Sequence, residues 1–200
     1  MTHAFRRHGR PRARTMTLVL LLAAATSATA QPAADTPAAS STSVLTGAER
    51  WRQFGHDVIS PRFVVRSLGA GTVAHLREEP SAWNQAVGGW AARVASSAGE
   101  SLVYTGTKHG LGALLGADFR YTPRGQGPFG ARLAHALVGS VTVRTARGRP
   151  LHLPLMGGAL VSTLAQSSWE TGAPDVRRIV PGLAVTLVVE IVGHLVLEFR

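Results

Sequence analysis

The residues best placed to do chemistry lie on the last apolar stretch, Ile179 to Arg200. Glu190 and His194 are four apart, so on a helix they share a face. Both side chains bind metals and both pass protons. A metal site needs at least a third ligand, and the helical signature of two histidines with a glutamate between them is absent. The pair therefore reads as a buried polar couple, hydrogen-bonded to each other, to Thr186 or to Arg132. Thr186, Glu190, His194 and Glu198 recur every fourth residue and draw one polar stripe down the stretch.

A second group, Asp118, Arg120, Tyr121 and Arg124, falls in the glycine- and proline-rich run GADFRYTPRGQGPF. Functional groups concentrate on loops. Arg120 and Arg124 can bind an anion, but Arg120 can equally pair with Asp118 or Glu100 and fix helix ends, and we expect the structural role. Arg144, Arg147 and Arg149 around Gly148 form a basic turn, solvated or resting on anionic headgroups. His75 with Glu78 and Glu79 reads as a solvated helix end. The binding candidates are thus Asp118, Arg120, Tyr121, Arg124, Glu190 and His194. No catalytic residue, metal set or cofactor is assigned.

Several chemistries lack their motif. There is no Gly-x-Ser-x-Gly elbow and no phosphate-binding P-loop. Gly110, Gly112 and Gly116 have neither the spacing nor the preceding strand of a dinucleotide fingerprint. The chain has no cysteine, which removes disulfides, thiolate nucleophiles and thiolate metal sites.

The elements that must position these groups follow from the patterning. Arg6 to Arg14 is a basic region, Thr17 to Ala25 a short apolar one, and Ala28-Thr29-Ala30 a small-residue cleavage site. This order is that of a secretory signal peptide, residues 1–30, cut before Gln31. Five arginines and no acids lie in it, so the net charge of +10 falls to +5. Residues 31–45 read as a flexible Ala/Pro/Ser/Thr linker, and 46–200 as one helical domain.

Thr46 and Glu49 have capping-box spacing for a first helix reaching about Ile59. Pro61 suits the first turn of a second, ended by Glu79-Pro80. Ser81 caps a third, from about Ala82 to Leu115, with Trp83, Val87, Trp90 and Val94 on one face. Its many glycines predict a break between Gly99 and Gly112. Helices are expected again over Gly130 to Thr145, Pro154 to Glu170, and from Ile179 on. For the last stretch three readings compete. Alternating apolar positions allow a strand and the length allows a membrane span. The four-residue polar spacing favours a helix buried in the core.

The run from Gly116 to Gly158 resembles a family of uncharacterised exported bacterial helical proteins. The resemblance rests on Asp118, Arg120 and Tyr121, on Gly125, Gly127 and Arg132, and on the Val141 to Arg144 segment, Gly148 and Gly157-Gly158. Phe119 stands where those relatives usually carry proline. The resemblance implies an all-helical fold and brings no established activity.

The expected fold is an all-α bundle of five to six small-residue-rich helices with a hydrophobic C-terminal helix. The expected protein is exported to the periplasm or outer envelope. We expect it to be non-enzymatic and associated with a membrane surface or an envelope partner. Nucleic acid is not an expected partner. The alternatives are a small periplasmic enzyme or lipid-binding protein working around Glu190, His194 and the Arg120 loop, and an integral membrane helix bundle.

Overall fold

The computed structural model describes residues 45–200. The leader and all but the last residue of the linker lie outside the described residues. Six α-helices make up the domain: α1 Gly47–Ile59, α2 Pro61–Leu76, α3 Val87–Leu115, α4 Phe129–Val141, α5 Leu153–Thr171 and α6 Ile179–Phe199. The described residues form no strand, only isolated bridges. The chain is an all-α bundle with an apolar C-terminal helix.

Local sequence explains most of the boundaries. Thr46 and Glu49 close the expected capping box, with Thr46 N–H donating to Glu49 Oε2 at 2.8 Å. Ser60 accepts from Phe63 N–H at 3.2 Å and caps α2. The start of α3 differs from expectation. Ser81 does not cap it. Asn84 Oδ1 accepts from Ala86 N–H at 3.0 Å and Gly89 N–H at 3.2 Å, so the helix begins at Val87. Gly116, left-handed at φ 63°, closes it.

The expected break in α3 is absent, and the helix runs unbroken for 29 residues. Each interior glycine costs up to about 1 kcal/mol against alanine, but α3 is flanked by α2 and α5, its two most extensive neighbours. Packing against these neighbours, not contact at its own glycines, keeps α3 whole: Gly88, Gly106 and Gly110 face open space, and the close approaches between helices are made by glycines of α2 and α5. A Cβ on Gly71 would sit 2.5 Å from Val94 Cα, and one on Gly158 would sit 3.0 Å from the Tyr104 ring. α4 stops at Val141, short of the expected Thr145, because the chain there turns to the Thr142–Leu151 bridge, where Val143 N–H donates to Pro150 C=O and His152 N–H to Val141 C=O.

Closest approaches run in the order α2, α3, α5, α6, α4, with α1 laid on α3 and α2. Neighbours are antiparallel. Thr72 meets Trp90 across α2 and α3, and Ser96 meets Glu170 across α3 and α5. Thr163 meets Gly182 across α5 and α6, and Ser140 meets His194 across α4 and α6.

The distribution of polarity inverts that of a water-soluble bundle. Among the described residues thirteen polar or charged side chains are buried against seven apolar ones, while twenty-five large apolar side chains are exposed. In α6 the buried positions are Thr186, His194 and Glu198, whereas Val180, Val185, Val188 and Val189 are exposed. The stretch is a helix, as expected, but not a core helix: its seam points inward and most of its apolar surface outward. Large apolar side chains covered only by water forgo roughly 1.5–3 kcal/mol each.

Two glycine substitutions test the packing. Gly71→Ala drives a methyl into the α3 backbone and should destabilise by about 1–3 kcal/mol. Gly106→Ala meets nothing within 4 Å, and should stabilise by up to about 1 kcal/mol. Thermal unfolding of both variants reads the sign; a stabilised Gly71→Ala would show that α2 and α3 are not in close contact.

Candidate functional site

The seam of α6 is built upward from its four polar residues. Thr186 returns its hydroxyl to Gly182 C=O at 3.0 Å. Glu190 Oε1 lies 3.8 Å from Lys108 Nζ and 3.7 Å from His194 Nε2. These are electrostatic contacts, too long for hydrogen bonds. The expected Glu190–His194 hydrogen bond is therefore absent, and neither Thr186 nor Arg132 replaces it. His194 is held from its other side. Its Nδ1 is 2.9 Å from Ser140 Oγ, and its ring stacks on Tyr121 with centroids 4.1 Å apart. Ser140 gives its proton to Ala136 C=O at 2.9 Å, so its oxygen accepts from His194 Nδ1–H, which assigns the tautomer.

Glu190, His194 and Ser140 lie in the order of a hydrolase triad but not in its bonding: His194 donates to the serine instead of taking its proton, Glu190 stays 3.7 Å from the ring, and Ser140 has no accessible surface. A nucleophile must reach its substrate, and this serine cannot.

Glu198, 1% exposed, is the best-satisfied group on the seam. Tyr121 O–H donates to Oε2 at 2.6 Å, and Arg124 N–H donates at 2.9 Å. Gly125 N–H and Arg132 Nε each donate to Oε1 at 3.3 Å. Burial and the Glu198 carboxylate both push the Tyr121 phenol above its ordinary value. One carboxylate therefore ties the Arg120 loop and α4 to the end of α6. Within that loop Arg120 pairs with Asp118 at 2.9 Å. Burial opposes ionisation of Asp118, but the Arg120 hydrogen bonds outweigh it and hold the carboxyl below its ordinary value. Arg144 donates to Arg120 C=O at 3.0 Å and to the Thr122 hydroxyl. Asp118 N–H donates to Arg144 C=O at 2.8 Å.

These contacts bring Asp118, Arg120, Tyr121, Glu190 and His194 to one cavity of about 40 Å³, room for about three waters. Arg124 is not among the lining residues; its backbone N–H, not its guanidinium, does the binding. His75 is not the solvated end expected, since its Nδ1 lies 3.3 Å from the buried Arg93. No group of three or more His, Asp or Glu among the described residues is placed to hold a metal ion.

Three groups escaped the sequence reading. Lys108 gave no motif, and its position opposite Glu190 depends on the α3–α6 geometry. Ser140 is one of many small residues. His152, also lining the cavity, caps α5: its Nδ1 accepts from Leu155 N–H at 3.1 Å, and its ring stacks on Phe119 at 5.5 Å. A histidine just before Leu-Pro at a helix start was the available signal.

No family model, curated protein or solved structure matches this chain. What the cavity does must come from its own atoms.

Two predictions follow from the capped and clamped ends. Glu198→Gln leaves Arg132 without its carboxylate and weakens three further donors. It should cost about 2–4 kcal/mol and expose the Tyr121–Gly125 loop to proteases; an unfolding midpoint equal to that of the parent would refute the clamp. For His152, burial and then Lys108 push the pKa down from 6.5 to about 4. The unfolded chain then takes up the proton first. Stability is complete above pH 6.5 and falls as pH drops toward 4, by up to roughly 3 kcal/mol. His152→Asn keeps a capping oxygen but cannot titrate. It should flatten that acid slope in denaturant titrations, and an unchanged slope would assign the acid sensitivity elsewhere.

Proposed function

We propose that the protein is an exported envelope protein whose helical bundle is embedded in a membrane, in a structural rather than catalytic role. The observation carrying this reading is the inverted polarity. Intramembrane charges face a bundle interior and pair with one another, as Lys108 and Glu190 do. Small residues at helix contacts, such as Gly71, Gly158 and Gly182, suit packing in lipid. Val176–Phe199 is long and apolar enough to cross a bilayer, and only 11% of its most apolar 18-residue window is buried. Arg177 and Arg178 begin that stretch and Arg200 follows its end, positions where basic side chains reach headgroups. Arg147 and Arg149 lie exposed on the basic turn. The leader pattern and the resemblance to exported helical proteins support the same address.

A second reading, a small periplasmic enzyme or lipid-binding protein, is favoured by the convergence of Asp118, His152, Glu190 and His194 on one cavity. Its volume suits a few waters or a headgroup, not a whole substrate. The deciding experiment is carbonate extraction of the expressing cells' membranes, with N-terminal sequencing of the product. We expect a chain starting at Gln31 that stays in the pellet. Release into the soluble fraction would sink the embedded reading, and an intact leader would sink export by cleavage.

A further inference from the structure

The cavity holds polar groups that the protein itself leaves unmatched. Glu190 accepts no hydrogen bond from any described residue; its nearest cations stand at 3.7 and 3.8 Å. His152 is 3% exposed, and its Nδ1 is used by Leu155 N–H. Nε2 therefore carries the ring proton, and it donates to no described residue. Arg149 lines the rim, is exposed, and makes no hydrogen bond or ion pair with the described residues. Arg144 stands beside it, fixed by Arg120 C=O and Thr122. These groups reach solvent through the open cavity, so their unused hydrogen-bonding positions set the chemistry of what it can bind.

The donor pattern narrows that occupant. Glu190 can only accept, while His152 Nε2–H and Arg149 can only donate. A metal ion fits poorly, because protonated Nε2 is no ligand and Lys108 already supplies positive charge beside Glu190. A fully ionised oxyanion has no proton to give Glu190. A singly protonated phosphate group has both: a P–OH to donate to Glu190, and anionic oxygens to accept from His152 and Arg149. The volume admits a group of a few heavy atoms. We infer that the cavity between the α3–α4 connection, α4, the α4–α5 connection and α6 is a binding site for a protonated phosphate group, free or as the monoester head of a lipid. This inference does not rest on the embedded reading, since the cavity lies under the loops joining α3 to α5 and is probed by a water-soluble ion.

The test uses the purified mature chain in mild detergent. Inorganic phosphate should raise the unfolding temperature saturably and give heat in calorimetry, while sulfate at the same concentration should not. Arg149→Ala, at an exposed position without contacts, should weaken phosphate binding tenfold or more. Glu190→Gln should abolish the discrimination and let sulfate bind. Absence of a phosphate response, an equal response of the parent to sulfate, or unchanged affinity in Arg149→Ala would each overturn the site. Reconstitution into phosphatidylcholine vesicles with and without phosphatidate separates the sources. Loss of the phosphate response only with phosphatidate supports the lipid monoester, and its retention in both supports the free ion. Carbonate release together with a phosphate response would remove the embedded reading and keep the site.

Discussion

A fully buried polar group on the inward face of α6 must find a partner inside, because an unpaired carboxylate or imidazole away from water is strongly penalised. Glu198 shows the constraint most fully. It collects a phenol, two backbone N–H groups and an arginine, and in doing so fixes the Arg120 loop, the start of α4 and the end of α6 relative to one another. His194 does the same one turn earlier, through Ser140 and Tyr121. Apolar packing between α4 and α6 is thin by comparison, with Leu137, Val138 and Val141 facing outward and the Phe129 and Phe199 rings meeting at one end.

The same logic governs the opposite end of α3. Arg93 is 1% exposed and has no carboxylate partner among the described residues. Its guanidinium gives all five donors to backbone carbonyls: Glu79 from Nε, Asn84 and Gly89 from Nη1, and Pro80 and Trp83 from Nη2. The α2–α3 connection is folded around a cation, as the α3–α4 connection is folded around an anion. Both connections are irregular backbone, whose carbonyls and N–H groups are not consumed by a helix and so remain free to do this. Glycine, serine and alanine on the helices then let the backbones close up around these centres.

This division explains what could be read from the sequence. Helix number and most boundaries follow from local signals, such as the Thr46–Glu49 box, Pro61 after Ser60 and the left-handed Gly116. The polar stripe of α6 and the Asp118–Arg120 pair were legible because their spacing is fixed within one element. The inward direction of that stripe was not, because a helix with one polar seam looks the same whether its apolar faces meet protein or lipid. The continuity of α3 was likewise hidden: the glycine cost is local, while the compensation comes from α2 and α5. Lys108, His152 and Ser140 become site residues only when three helices and a connection converge, and none has a neighbour in sequence that announces it.

The two halves of the molecule's chemistry are then one arrangement seen from two sides. With polar groups turned inward, the outer surface is left to valine, leucine and alanine, which suits hydrocarbon. With apolar groups turned outward, the interior has too few large side chains to fill it, so Ser, Gly and Thr bring the backbones close. Where they cannot, beneath the Phe119–His152 stack, a polar cavity remains between Glu190, His152 and the arginine rim. A bundle that presented its apolar faces inward would have filled that space with leucine. The cavity is thus a consequence of the inverted polarity, and its unmatched donors and acceptor give it a chemical character that a packing defect would lack.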